Sequence, residues 1–131
     1  MKINALVAVD AAKPLTSGDI TLRPLQNQDV KIDILYCGVC HSDLHMARNE
    51  WAVSRYPLVP GHEIVGRVSA TGAGVSAFQV GDIVGVGVMV DSCRECHFCK
   101  QHEEQYCEAG FTATYHGICL LYTSPSPRDV E

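Results

Sequence analysis

Four cysteines, Cys93-x2-Cys96-x2-Cys99-x7-Cys107, restrict what this chain can fold into more than any other feature. They fall within 15 residues, in a segment that also carries Arg94, Glu95, His97, Lys100 and His102. No apolar periodicity in residues 91–108 could fold that segment by burial, so something else has to hold it. Zn²⁺ is bound tetrahedrally by four thiolates at about 2.3 Å, and tight turns between closely spaced cysteines bring the sulfurs to one ion. The metal would stand where a hydrophobic core would otherwise be. Arg94 and Lys100 partly offset the charge of four thiolates. Four protein ligands leave no open coordination position, so Cys93, Cys96, Cys99 and Cys107 are expected to form a structural zinc site. Two disulfides or free thiols are the competing reading. His97 and His102 are read as solvent-facing.

Outside this lobe the chain reads as one ordinary globular domain. Its 131 residues are 47% apolar and 19% charged, which sets it apart from disordered sequences. Ten Lys and Arg against fifteen Asp and Glu give a net charge of −5 with histidine neutral. That balance speaks against binding nucleic acid and against a polybasic membrane anchor. No apolar run approaches the roughly 20 residues of a membrane helix. The stretch from Met1 to Lys13 is too weakly apolar for a signal peptide. A cytoplasmic protein is expected, where seven cysteines read as metal ligands or reactive thiols.

Leu6 to Val9 and Ile20 to Leu22 read as short strands around a turn region at Pro14, Gly18 and Asp19. Val30, Ile32 and Ile34 alternate with Lys31 and Asp33, the period of a half-buried strand. The alternation stops at Cys37, and Ser42 with Asp43 offers an N-cap to a short helix through about Asn49. Ile64 to Thr71 and Ile83 to Val90 are again strand-like. Many short strands with Gly and Pro punctuation predict a mainly β fold, a barrel with short helices.

A second constellation lies in Cys40-His41-Ser42-Asp43-Leu44-His45 and Gly61-His62-Glu63. A catalytic zinc takes about three protein ligands and keeps one position for water or substrate. Cys40 and His62 offer a thiolate and an imidazole, each beside a carboxylate that could fix the ring tautomer. Ser42 could pass a proton to or from an oxygen at such a site, and His45 could carry it to solvent. Cys37 and Cys40 also spell a Cys-x-x-Cys pair, but the βαβ context of a thioredoxin-like motif is missing. Cys37 is expected to pack as a small hydrophobe at a strand end.

These motifs together resemble the zinc-containing alcohol dehydrogenases of the medium-chain dehydrogenase/reductase superfamily. The resemblance rests on Gly61-His62-Glu63-x2-Gly66-x5-Gly72-x2-Val75, on Cys40-His41-Ser42-Asp43, and on the four-cysteine lobe. The run from Tyr36 to His45, with Gly85-Val86-Gly87 and Asp91-Ser92-Cys93, is similar to the cinnamyl-alcohol-dehydrogenase branch and its bacterial NADPH-dependent aldehyde reductases. The resemblance implies a GroES-like, partly open β-barrel over residues 1–118, with the structural-zinc lobe at 91–108. It implies a catalytic zinc on Cys40 and His62, with Glu63 as outer or alternate ligand and Asp43 orienting His62. Ser42 and His45 would be the catalytic proton relay, His41 would approach the pyrophosphate of NADP(H), and Trp51 would line the substrate pocket. The substrates implied are small aldehydes and alcohols, and the full-length family member is expected to be a homo-oligomer.

Two family features are missing from these 131 residues: a third catalytic ligand downstream, and a Gly-x-Gly-x-x-Gly turn between strand and helix. The chain therefore reads as the catalytic-domain fragment of such an enzyme, inactive alone. Residues Cys119 to Asp129, Cys-Leu-Leu-Tyr-Thr-Ser-Pro-Ser-Pro-Arg-Asp, match the translation of a transposase sequencing adapter. Residues 119–131 are accordingly expected to be disordered and foreign to the fold. Two other readings remain open: a stand-alone zinc-binding adaptor, and a related polyol or sugar dehydrogenase fragment.

Overall fold

The computed structural model describes residues 2–115 and the short strand Tyr122–Thr123. The chain runs β1 (Lys2–Val7), β2 (Thr16–Thr21), β3 (Val30–Gly38), α1 (His41–Ala47), β4 (Glu63–Thr71), β5 (Ile83–Val86) and β6 (Met89–Asp91). It continues through α2 (His97–Lys100), a 3₁₀ turn (Glu104–Tyr106), β7 (Thr112–Ala113) and β8 (Tyr122–Thr123). The mainly β expectation holds: the longest helix among the described residues has seven residues. Among them, three sheets form, with orders β1-β2, β5-β4-β3-β8 and β6-β7.

Val30 and Ile32 turn into the core with Val68 of β4, and Val75, Phe78, Val84 and Val86 pack against them. Ile34, expected on the same buried face, is exposed because that covering layer stops short of it. The end of β3 is therefore bare, and Cys37 is exposed rather than packed. A second cluster joins Ala8, Met46 of α1, Leu58 and Tyr115. Ala8 and Leu58 exchange backbone hydrogen bonds of 2.7 and 2.9 Å, which ties the end of β1 to the segment before β4.

Four boundaries differ from the sequence expectation. Gly18 and Asp19, expected in a turn, lie inside β2 and pair with Ala5 and Asn4. The first strand begins at Lys2 because its register with β2 runs from Lys2↔Thr21 to Val7↔Thr16. The apolar run from Ile83 to Val90 is not one strand. It breaks at Gly87 and Val88, so β5 joins the large sheet and β6 pairs with β7. A glycine inside a strand marks such bends. The cap of α1 is Cys40, not Ser42: Cys40 is extended, and its backbone N–H donates to Asp43 Oδ2 at 2.9 Å. Asp43 thus occupies the reciprocal carboxylate position of a capping box.

The lobe was expected as loop and contains one helical turn and one 3₁₀ turn. Its base is closed by β6 and β7, with Met89 opposite Ala113 and Asp91 opposite Thr112. Of residues 119–131, only Tyr122 and Thr123 are described, and they depart from the expected disorder: as β8 they pair with Lys31 and Val30 at the edge of the large sheet. The rest of that expectation lies outside the described residues.

Candidate metal centres

In the lobe, the sulfurs of Cys93, Cys96, Cys99 and Cys107 all lie within 4.8 Å of one another. Cys93 and Cys99 are 3.8 Å apart at sulfur. A tetrahedron with bonds of about 2.3 Å has edges of roughly 3.8 Å, so the cluster is already sized for Zn²⁺. The six described cysteines are free thiols, which removes the disulfide reading for these four. His97 and His102 are exposed and outside the set.

Backbone amides point inward: Cys96 N–H donates to Cys93 Sγ at 3.3 Å and Cys93 N–H to Cys107 Sγ at 3.4 Å. Backbone donors, with Cys99 N–H first and Glu108 next, hold the Cys96 thiol down to about 6. Cys99 is pushed up to about 11: Ser92 acts to lower it, and burial with the Cys96 bond outweighs that. Four adjacent thiolates cannot share this space without a cation. The residues fit zinc on both size and charge.

The second centre exists because β3 and β4 are antiparallel neighbours. Gly38 at the end of β3 pairs with Glu63 at the start of β4. Cys40, two residues past β3, and His62, one before β4, therefore meet. The ligand atoms of Cys40, His62 and Glu63 lie within 4.8 Å of one another. A Cβ on Gly38 would sit 2.6 Å from Glu63 Oε2, so the absence of a side chain there leaves room for the carboxylate. Sulfur, nitrogen and oxygen donors in one cluster, one short of tetrahedral, fit a zinc with an open position.

Asp43 fixes this centre from behind. Its Oδ1 accepts from Gly61 N–H at 2.9 Å and from His62 Nδ1 at 3.2 Å, while Oδ2 accepts from Cys40 N–H. His62 and Asp43 are both buried. With Nδ1 turned to Asp43, Nε2 is the nitrogen left for a metal. Burial acts to raise the Asp43 carboxyl; the bonds from Cys40, Tyr115 and His62 outweigh it and hold it below its ordinary value. Gly61 has φ of +121°, and a Cβ there would stand 2.8 Å from Cys37 Sγ. The turn that delivers His62 thus requires glycine on two counts.

Two residues that spacing could not reveal join these centres. Tyr115, 53 positions from His62, donates its hydroxyl to Asp43 Oδ1 at 2.7 Å and touches His62 Nδ1. Glu50 bonds His45 Nδ1 through Oε2. The His45 ring lies between His41 and Trp51, each at 4.8 Å between centroids. Ser42 Oγ is 2.9 Å from Cys40 Sγ, so the hydroxyl is at the metal side of α1. Trp51 is half exposed. Beside the centre, a cleft of about 860 Å³ is walled by Cys40, His41 and Leu44 on one side and by Ala11 to Leu15 on the other.

Known proteins are similar to this chain in sequence and fold. The family model described as "Alcohol dehydrogenase GroES-like domain" matches residues 26–125. Aldehyde reductase YahK of Escherichia coli is 53% identical over 129 residues, which is 98% of this chain and 35% of the relative. NADP-dependent alcohol dehydrogenase C of Mycobacterium tuberculosis is 49% identical over 116 residues, 88% of this chain and 34% of the relative. The solved cinnamyl alcohol dehydrogenase of Sorghum bicolor superposes with a TM-score of 0.84 at 44% identity, covering 89% of this chain and 33% of that one. The Helicobacter pylori enzyme complexed with NADP(H) gives 0.83 at 41%, covering 88% and 33%. The chain spans about a third of the length of the curated relatives it matches. With a family match over residues 26–125, the chain belongs to the GroES-like domain family of the alcohol dehydrogenases.

Proposed function

We propose that these residues are the catalytic-domain share of a zinc-dependent, NADP-linked alcohol dehydrogenase or aldehyde reductase. The observation that carries the reading is the Cys40, His62 and Glu63 cluster, with His62 already oriented by buried Asp43. Bound zinc supplies Lewis acidity to a carbonyl or alcohol oxygen, and bound NADP(H) supplies or accepts the hydride. With both groups bound, reduction of an aldehyde would need a hydride at the carbonyl carbon, from NADPH, and a proton at its oxygen, which residues of this chain would deliver; oxidation would reverse both.

The chain's own residues carry the proton and the geometry. Cys40 and His62 would hold the metal, with Glu63 as an outer or alternate ligand. Asp43 keeps the Nδ1 proton on His62 so that Nε2 stays a ligand. Ser42 Oγ gives or takes the proton at the reacting oxygen. His45, held by Glu50, passes it toward solvent. His41 faces the cofactor and Trp51 lines the substrate side. Residues 1–118 form this domain, and 119–131 derive from an adapter. The working protein is a cytoplasmic homo-oligomer. The 131 residues alone carry no hydride transfer, because no nucleotide-binding glycine turn is among them.

Metal counting tests the reading. The wild-type chain should bind two zinc ions and Cys40→Ser one, with the four-thiolate ion retained. A wild-type chain with a single ion, or a Cys40→Ser chain with two tight ions, contradicts it.

A further inference from the structure

Tyr115 is 6% exposed and reaches the catalytic side from the far end of the described chain. Its route is set by the lobe. The lobe exits through β7, which pairs with β6, and Thr114 then fastens to the same strand connection. Thr114 N–H donates to Val88 O at 2.9 Å, and Thr114 Oγ1 donates to Gly87 O at 2.5 Å. The next residue, Tyr115, enters the cluster of Ala8, Met46 and Leu58 with its ring and leaves its hydroxyl on Asp43. The Tyr115 and His62 rings stand 5.0 Å apart at 59°.

We infer that Tyr115 is a positioning residue of the Cys40, His62 and Glu63 metal centre, through which the cysteine lobe holds the Asp43–His62 pair in register. The inference rests on the reading of that centre as a zinc site. The reasoning concerns one oxygen. Asp43 Oδ1 accepts from Gly61 N–H, from His62 Nδ1 and from the Tyr115 hydroxyl. Cys40 N–H on Oδ2 and Gly61 N–H on Oδ1 fix the carboxylate, and the phenol oxygen, bonded to Oδ1 and touching His62 Nδ1, holds the ring against it. Remove the phenol oxygen and the His62 ring loses the contact at Nδ1 and can turn about its remaining bond to Asp43. A buried aromatic that only packed would lose nothing when its hydroxyl is removed. Partners that orient a metal ligand typically change metal affinity by about 10–100-fold when mutated.

The test is Tyr115→Phe, which keeps the ring in its cluster and removes the hydroxyl. Cobalt is titrated into wild type and variant against a competing chelator, and both affinities and visible d–d bands are recorded. The four-thiolate site should bind equally in both, which also reports that the variant is folded. The second site should weaken by about 10–100-fold in the variant and shift its bands. An unchanged second site would leave Tyr115 a packing residue and overturn the inference. A wild-type chain taking up one cobalt only would overturn the zinc reading itself, and the inference with it. A second measurement needs no variant. With 3-fluorotyrosine in all five tyrosine positions, filling the second site after the first should move the resonance of a buried tyrosine. Five unmoved resonances would overturn the inference even if Tyr115→Phe did not fold.

Discussion

Asp29 is a buried carboxylate whose role is wholly structural. It is 5% exposed, and Arg23 grips it with both terminal guanidinium nitrogens, Nη2 to Oδ1 at 2.9 Å and Nη1 to Oδ2. Gln26 N–H donates to Oδ2 at 2.7 Å, and Gly72 N–H donates to the Asp29 carbonyl at 2.8 Å. One residue thus joins the entry of β3 to the exit of β4. The Arg23 guanidinium, first among its partners, holds the carboxyl below its ordinary value. Because the folded value is the lower one, this stabilisation is complete above the unfolded carboxyl range near 4. It is lost as pH falls through the folded value. Asp29→Asn should therefore flatten the acid limb of stability below about pH 4, measured as urea midpoints against pH. Parallel limbs in the two proteins would contradict this. Asp29→Ala, which leaves the half-buried Arg23 uncompensated, should cost about 3 kcal/mol at neutral pH. Asp43 stood out in the sequence by its Cys-His-Ser-Asp motif, whereas nothing there marked Asp29, whose clamp only its partners reveal.

The lobe is the element whose behaviour follows most directly from its composition. Its two helical turns have four and three residues, far below the length at which a helix holds itself. Cys99 and Cys107 supply much of its buried surface. Structural zinc in small cysteine sites contributes about 10–16 kcal/mol of binding free energy at neutral pH, enough to decide whether such a segment folds. Chelation should therefore open 91–108 while β3 and β4 stay paired. Hydrogen exchange checks it: amides of 93–107 should exchange freely, and those of Ile32 and Val68 should stay protected. Protection retained throughout after the metal is removed would count against the metal as the lobe's core. The spacing of four cysteines was enough to read this element, because every ligand lies in one short segment. The β5–β6 boundary was not readable. The run from Ile83 to Val90 is apolar throughout, and the change of sheet at Gly87 is decided by what each half pairs with.

At the scale of the molecule, the end of β3 and its neighbours leave an uncovered apolar face. Tyr36 and Val65 lie opposite each other in the sheet and both are exposed, and Val39 is 91% exposed. Contiguous bare apolar surface of this kind marks a place where more protein packs. That agrees with a chain spanning about a third of its relatives. An uninterrupted sequencing read of the source DNA across the Ile118 codon should therefore run on into a further cysteine ligand and a glycine-rich strand–helix turn. A genome that encodes Cys119 to Glu131 and then stops would refute the adapter reading. What the sequence determined by itself was local chemistry. Four closely spaced cysteines, a mainly β pattern and the candidate donors Cys40 and His62 could all be read from short segments, where chain connectivity already limits distance. The tertiary structure decided what connectivity cannot: that β3–β4 register joins Cys40 to His62 and Glu63, and that Tyr115 closes on Asp43 from 72 residues away. Contacts over such separations leave no spacing in the sequence, because each is set by how strands pair and not by the chain between them.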